Sequence, residues 1–135
     1  MSKLDQTLPL VYSCSGCSSA AQMANYLAIQ LDRQGDAEMS CIAGVGGNVK
    51  QLVRIACSER PIIALDGCPL QCVKSCLEMH NITPTQHVLL NTYGVKKRQR
   101  TDFDLDEADV LLKKMTEMAQ YLKSKNEEKS LVIPS

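Results

Sequence analysis

The stretch "PIIALDGCPLQCVKSCLEMH", residues 61–80, decides how the chain is read. Pro61 to Leu65 form a continuous apolar run, bounded on one side by Pro61 and on the other by Asp66-Gly67. Such a run suits a central parallel strand buried on both faces. Pro69 then fits the first turn of a helix, and Cys68, Cys72 and Cys76 fall four residues apart. Three thiols spaced along a helix that starts where a strand ends point to metal or redox chemistry.

The segments on either side repeat the alternation. "LPLVYS" (8–13) is β-rich and leads to Cys14. Residues 18–34 carry Ala20, Ala24, Leu27, Ala28 and Leu31 at helical spacing, with Gly35 as the stop. "AEMSCIAG" (37–44) reads as a second strand, followed by the glycine-rich turn "GVGGN". Asn48 is placed to cap a helix whose core face would be Val49, Leu52, Val53 and Ala56. "HVLLNTY" (87–93) reads as a fourth strand that breaks at Gly94. Asp104 and Glu107 have capping-box spacing, and Ala108, Leu111, Leu112, Met115, Ala119 and Leu122 form one apolar stripe behind them.

Strand and helix in alternation predict an α/β fold, a small three-layer sandwich with a mostly parallel sheet of four or five strands, flavodoxin-like or Rossmann-like. Residues 1–126 are expected as a single metal-binding domain, and 127–135 as a C-terminal tail or edge strand. Ligands of such folds bind at the carboxyl ends of the strands, near a switch in strand order. Cys14 and Cys17 follow the first strand, Cys41 ends the second, and Cys68 and Cys72 follow the third. Five thiols from three segments would meet on one edge.

Composition narrows the function. The 135 residues are 44% hydrophobic and 22% charged, as in an ordinary globular domain. Lys plus Arg and Asp plus Glu both number 15, so no overall field attracts nucleic acid or a membrane surface. No apolar run reaches the roughly 20 residues that span a bilayer. The first ten residues lack the apolar core of a signal peptide, so a cytoplasmic location is expected. In a reducing compartment seven cysteines, an odd number, favour metal binding or catalysis over a disulfide framework.

Cys14-Ser-Gly-Cys17 is a C-x-x-C turn able to bite one metal ion, and Cys68 with Cys72 would make the second bite if their helix begins at Cys68. A four-thiolate site takes zinc by default, ahead of an iron–sulfur cluster. Helix N-termini beside both pairs predict lowered thiol pKa values. Cys76 and Cys57 read as packing residues. His80 reads as a helix-end residue held by a carbonyl or acting as a cation, and His87 as the start of a strand on the far side. Asp66 either makes its turn or orients a ligand. The basic run "VKKRQR" (95–100) reads as a solvated loop, with no aromatic platform for nucleic acid. A cysteine-phosphatase loop is excluded, because no arginine follows Cys14 before Arg33.

Four motifs, "YSCSGCSSAAQMANYLA", "MSCIAGVGGNV", "IIALDGCPLQCVKSCLE" and "YGVKK", together resemble the DGC-domain family, whose signature is Asp66-Gly67-Cys68 here. The likeness runs from about Val11 to Lys97. It implies a zinc site made by cysteines, for which Cys14, Cys17, Cys68 and Cys72 are the natural four, with Cys41 inside a family-like motif. The leading expectation is therefore a cysteine-ligated zinc protein that handles or senses metal or sulfur. Alternatives are a thiol-dependent enzyme acting on a disulfide, persulfide or related electrophile, and an interaction module with a structural zinc. The expected partners are the metal ion and an unidentified protein or small sulfur compound, with no nucleic acid and no membrane.

Overall fold

A computed structural model describes residues 6–131. Four strands form one sheet: β1 (Leu10–Ser13), β2 (Glu38–Met39), β3 (Ile62–Asp66) and β4 (Gln86–Leu89). Every neighbouring pair is parallel, and the order across the sheet is β2-β1-β3-β4. This is the flavodoxin-like order, in which the chain leaves β1 toward one edge and later crosses to the other, so the switch point lies between β1 and β3.

Helices cover both faces. Along β1 and β3 the side chains alternate, as the two-residue strand period requires. Val11, Ile63 and Leu65 face α1 (Ser19–Gln34) and α5 (Leu105–Leu131). Leu10, Tyr12, Ile62 and Ala64 face α2 (Ile42–Gly46), α3 (Lys50–Ala56) and α4 (Cys72–Glu78). The result is a three-layer α/β sandwich. All five residues of β3 are buried: the "PIIAL" run predicted Ile62 to Leu65, and Asp66, read as part of the turn, is the fifth.

The best-signed helices form as read. Ser18 caps α1 by accepting from the Ala21 amide at 3.1 Å, and Gly35 closes it at φ 82°. Asp104 accepts from the Glu107 amide at 3.0 Å at the start of α5. The α5 stripe buries Ala108, Leu111, Met115, Ala119 and Leu122 against the α1 side of the sheet.

Other boundaries differ from the sequence expectation. β2 is only two residues long, and Ile42–Gly46 is a short helix rather than strand and turn. Val49 is exposed instead of joining the α3 core face. Asn48 lies at φ 61°, and Val49 takes the cap position. The strand at 87–93 ends at Leu89 and passes into a 3-10 turn, Leu90–Tyr93. The last helix continues to Leu131, so residues 127–131 of the expected tail or edge strand (127–135) are helical, and 132–135 lie outside the described residues. Among the described residues, no helix is long and apolar enough to cross a membrane.

Candidate thiol site

The carboxyl ends of β1 and β3 build the site. Ser13 pairs with Leu65 in register, and the Cys14 amide donates to the Leu65 carbonyl at 3.1 Å, so the ladder carries Cys14 alongside Asp66. The Gly67 amide then donates to Cys14 Sγ at 3.2 Å. Gly67 is a packing requirement. A Cβ there would lie 2.6 Å from the Ala20 carbonyl carbon and oxygen and 2.8 Å from the Ala21 nitrogen, so only glycine lets the end of β3 press on the first turn of α1.

Asp66 is 1% exposed and fully engaged. Its Oδ1 accepts from the Val73 amide at 2.8 Å, and its Oδ2 accepts from the Lys74 amide at 3.2 Å. His87 Nε2, on the neighbouring strand β4, sits 2.8 Å from Oδ2. The carboxylate thus caps α4 from a strand end six residues before Cys72, and it fixes where that cysteine stands. Helix α4 begins at Cys72 rather than Cys68. Residues 68–71 are an irregular turn closed by Gln71 at φ 54°.

The turn puts the thiols on one cleft of about 280 Å³. Cys14, Cys17, Cys68, Cys72 and Cys76 line it, with Ala21, Ile42, Leu70 and Val73 as its apolar wall. Four of the five expected site residues are therefore brought together. Cys41 is exposed and lines a separate hollow beside Ser13, Asp32 and Ser40. Cys76, read as packing, does pack: a Cβ on Gly46 would come within 2.9 Å of its sulfur. It also reaches the cleft. Cys57 is exposed at the end of α3 rather than packed, and lines a hollow at the opposite end with Arg60 and His80. His80 Nε2 contacts the Val45 carbonyl at 2.7 Å, as a helix-end histidine should.

The expected lowering of thiol pKa does not hold for half-buried Cys14. Burial pushes Cys14 up to about 11, against the Gly67 amide, with Asp66, Cys68 and Cys72 adding to the rise. Cys76 is also raised, by burial first and then by Cys72 and Asp66. Desolvation of a charged sulfur outweighs the nearby amide donors.

Sequence reasoning missed one wall. Residues 96–100 are an exposed loop, as read, but a fastened one. The Ser19 amide donates to the Arg98 carbonyl at 2.8 Å, and the Arg98 amide donates back to Ser19 Oγ at 2.9 Å. Ser19 Oγ also contacts the Lys96 carbonyl at 3.4 Å. So fastened, the strap sets Lys97 and Gln99 on the cleft: Lys97 Nζ lies 3.6 Å from Cys68 Sγ, and Cys17 Sγ 3.5 Å from Gln99 Oε1. The available signal was "YGVKK", already one of the family-like motifs.

Among the described residues, no three His, Cys, Asp or Glu side chains are already gathered as a metal-binding group. The donor chemistry nonetheless fits a soft metal, with five sulfurs from two segments, those that follow β1 and β3, around one cleft. Cys17 and Cys72 are exposed, and three staggered χ1 wells allow each sulfur to be re-aimed without moving the backbone.

The DGC-domain family model matches residues 10–115, which span all four strands and the cleft. The chain is 60% identical over 107 residues to the anaerobic and virulence modulator AnvM of Pseudomonas aeruginosa, covering 79% of this chain and 82% of that protein. No solved structure matches the chain.

Proposed function

This chain belongs to the DGC-domain family, and from that premise we propose that it is a cytoplasmic regulatory protein whose cysteines hold zinc and sense its loss or their own oxidation. Cys14, Cys17, Cys68 and Cys72 are the ligands in this reading, and Cys41 lies outside the set. The observation that carries it is the gathering of these four thiols, from two strand ends, onto one cleft at the switch point of the sheet. The sandwich has its own core on both faces of the sheet, so metal is not needed to fold it. A site that does not serve as a staple is free to change state.

Regulation is supported by the relative's name, which speaks of modulation and of anaerobic conditions. Thiolate ligands connect naturally to oxidants: two of them can give two electrons to a peroxide, closing a disulfide, freeing the metal and leaving water. An unidentified protein would then read the altered cleft. The test is a peroxide titration of the zinc-loaded protein with an indicator for free zinc. Stoichiometric release, reversed by a dithiol reductant with zinc present, is the expected result. Retention of zinc through full oxidation of the exposed thiols would overturn the sensing role.

The second reading is a thiol-dependent enzyme acting on a disulfide, persulfide or related electrophile. The apolar wall of the cleft favours it, since Ala21, Ile42, Leu70 and Val73 could seat a small substrate beside the sulfurs. Turnover of such a substrate by the metal-free protein would select it.

A further inference from the structure

The Lys97 ammonium lies against Cys68 Sγ at 3.6 Å, and among the described residues no carboxylate pairs with it. A lysine on an exposed loop normally sits in water or beside an acid. This one is set against a sulfur by a strap whose backbone is fastened to Ser19 on both sides. Ser19 is 4% exposed and is the first residue of α1, two positions after Cys17. The fastening therefore links the C-x-x-C turn to the strap that carries Lys97. Lys96, the preceding residue, lines a different hollow with Met23, Phe103 and Glu107. The two adjacent side chains diverge, and of the two lysines Lys97 is the one directed at the thiols.

Zinc held by four thiolates carries a net charge of −2, counting four negative sulfurs against one divalent cation. Such a charge in a cleft with an apolar wall needs a counter-charge and N–H donors to its sulfurs. The Gly67 amide already donates to Cys14. We infer that Lys97 is the positioning residue that supplies the charge, donating to Cys68 and holding the zinc–thiolate group in the cleft without itself binding the metal. The inference rests on the zinc reading above and extends it to a residue outside the cysteines.

The test is zinc affinity by chelator competition on the full chain, for wild type, Lys97→Gln, Lys97→Arg and Lys96→Gln. Cobalt spectra of each variant are recorded alongside. Lys97→Gln should weaken zinc about tenfold or more, the scale of lost outer-shell partners. Its cobalt–thiolate absorption at saturation should be unchanged, because all four sulfurs still bind. Lys97→Arg should recover most of the affinity, and Lys96→Gln should match wild type. Wild-type affinity in Lys97→Gln, or an equal loss in Lys96→Gln, would overturn the inference while leaving the zinc site standing. No zinc bound by wild type would overturn both.

Discussion

His87 Nε2 and Asp66 Oδ2 meet at 2.8 Å across adjacent strands, and the same carboxylate holds two amides of α4. Asp66 thus joins β3, β4 and the helix that carries Cys72. Replacing it with alanine would leave the Val73 and Lys74 amides without their acceptor. The expected cost is about 3 kcal/mol, from lost hydrogen bonds to a charged group. Asp66→Asn keeps one acceptor oxygen and should cost less, and His87→Ala about 1–2 kcal/mol. Urea unfolding of the metal-free proteins measures all three. Equal stability of wild type and Asp66→Ala would refute the capping role.

Gly67→Ala tests the contact between β3 and α1. The added methyl would enter the backbone of Ala20 and Ala21. Overpacking of this kind costs about 1–3 kcal/mol. It would also push apart the two turns that carry Cys14 and Cys68, so zinc affinity should fall along with stability. A stable variant that binds zinc normally would show that the close approach is not needed.

Burial of Cys14 sets a pH dependence with a definite sign. Its thiol ionises near 11 in the fold, against 9.0 for an unburied cysteine. Between those values the folded chain keeps a proton that the unfolded chain has lost, so stability is intact below pH 9 and falls as pH rises toward 11. In metal-free protein, mass-spectrometric alkylation at pH 8 should label exposed Cys17 and Cys72 well before Cys14. The Cys14 rate should keep climbing to about pH 11. A Cys14 plateau at pH 8 would contradict the burial argument.

Cys57 should be dispensable. It is exposed at the end of α3, away from the thiol cleft. Cys57→Ser is expected to change stability by no more than about 0.5 kcal/mol and to leave zinc affinity unchanged. A loss of metal in this variant would place the site elsewhere.

The sheet could be read from the sequence because buried parallel strands are bounded apolar runs, and "PIIAL" between Pro61 and Asp66 is such a run. The end of α1 was equally plain in Gly35 and the start of α5 in Asp104, whereas the Ser18 cap of α1 came from the structure. The region from Cys41 to Val49 was not, since a five-residue helix through Gly44 and Gly46 has no periodicity to show. The strand ends pointed to Cys14, Cys17, Cys68 and Cys72, which line the cleft, but equally to Cys41, which lies in a separate hollow. They did not point to Cys76, because its sulfur both packs on Gly46 and reaches the cleft. The partners of Asp66 and Cys68 were hidden for another reason. His87 and Lys97 lie 21 and 29 residues away, and only strand pairing and the Ser19 fastening bring them close.

The most direct measurement is metal per chain, by elemental analysis of anaerobically purified wild type, Cys14→Ser, Cys68→Ser and Cys41→Ser. The account predicts about one zinc in wild type and Cys41→Ser, and its loss from Cys14→Ser and Cys68→Ser, as a single four-thiolate site requires. Wild-type protein without metal would contradict it and leave the thiol enzyme as the better reading.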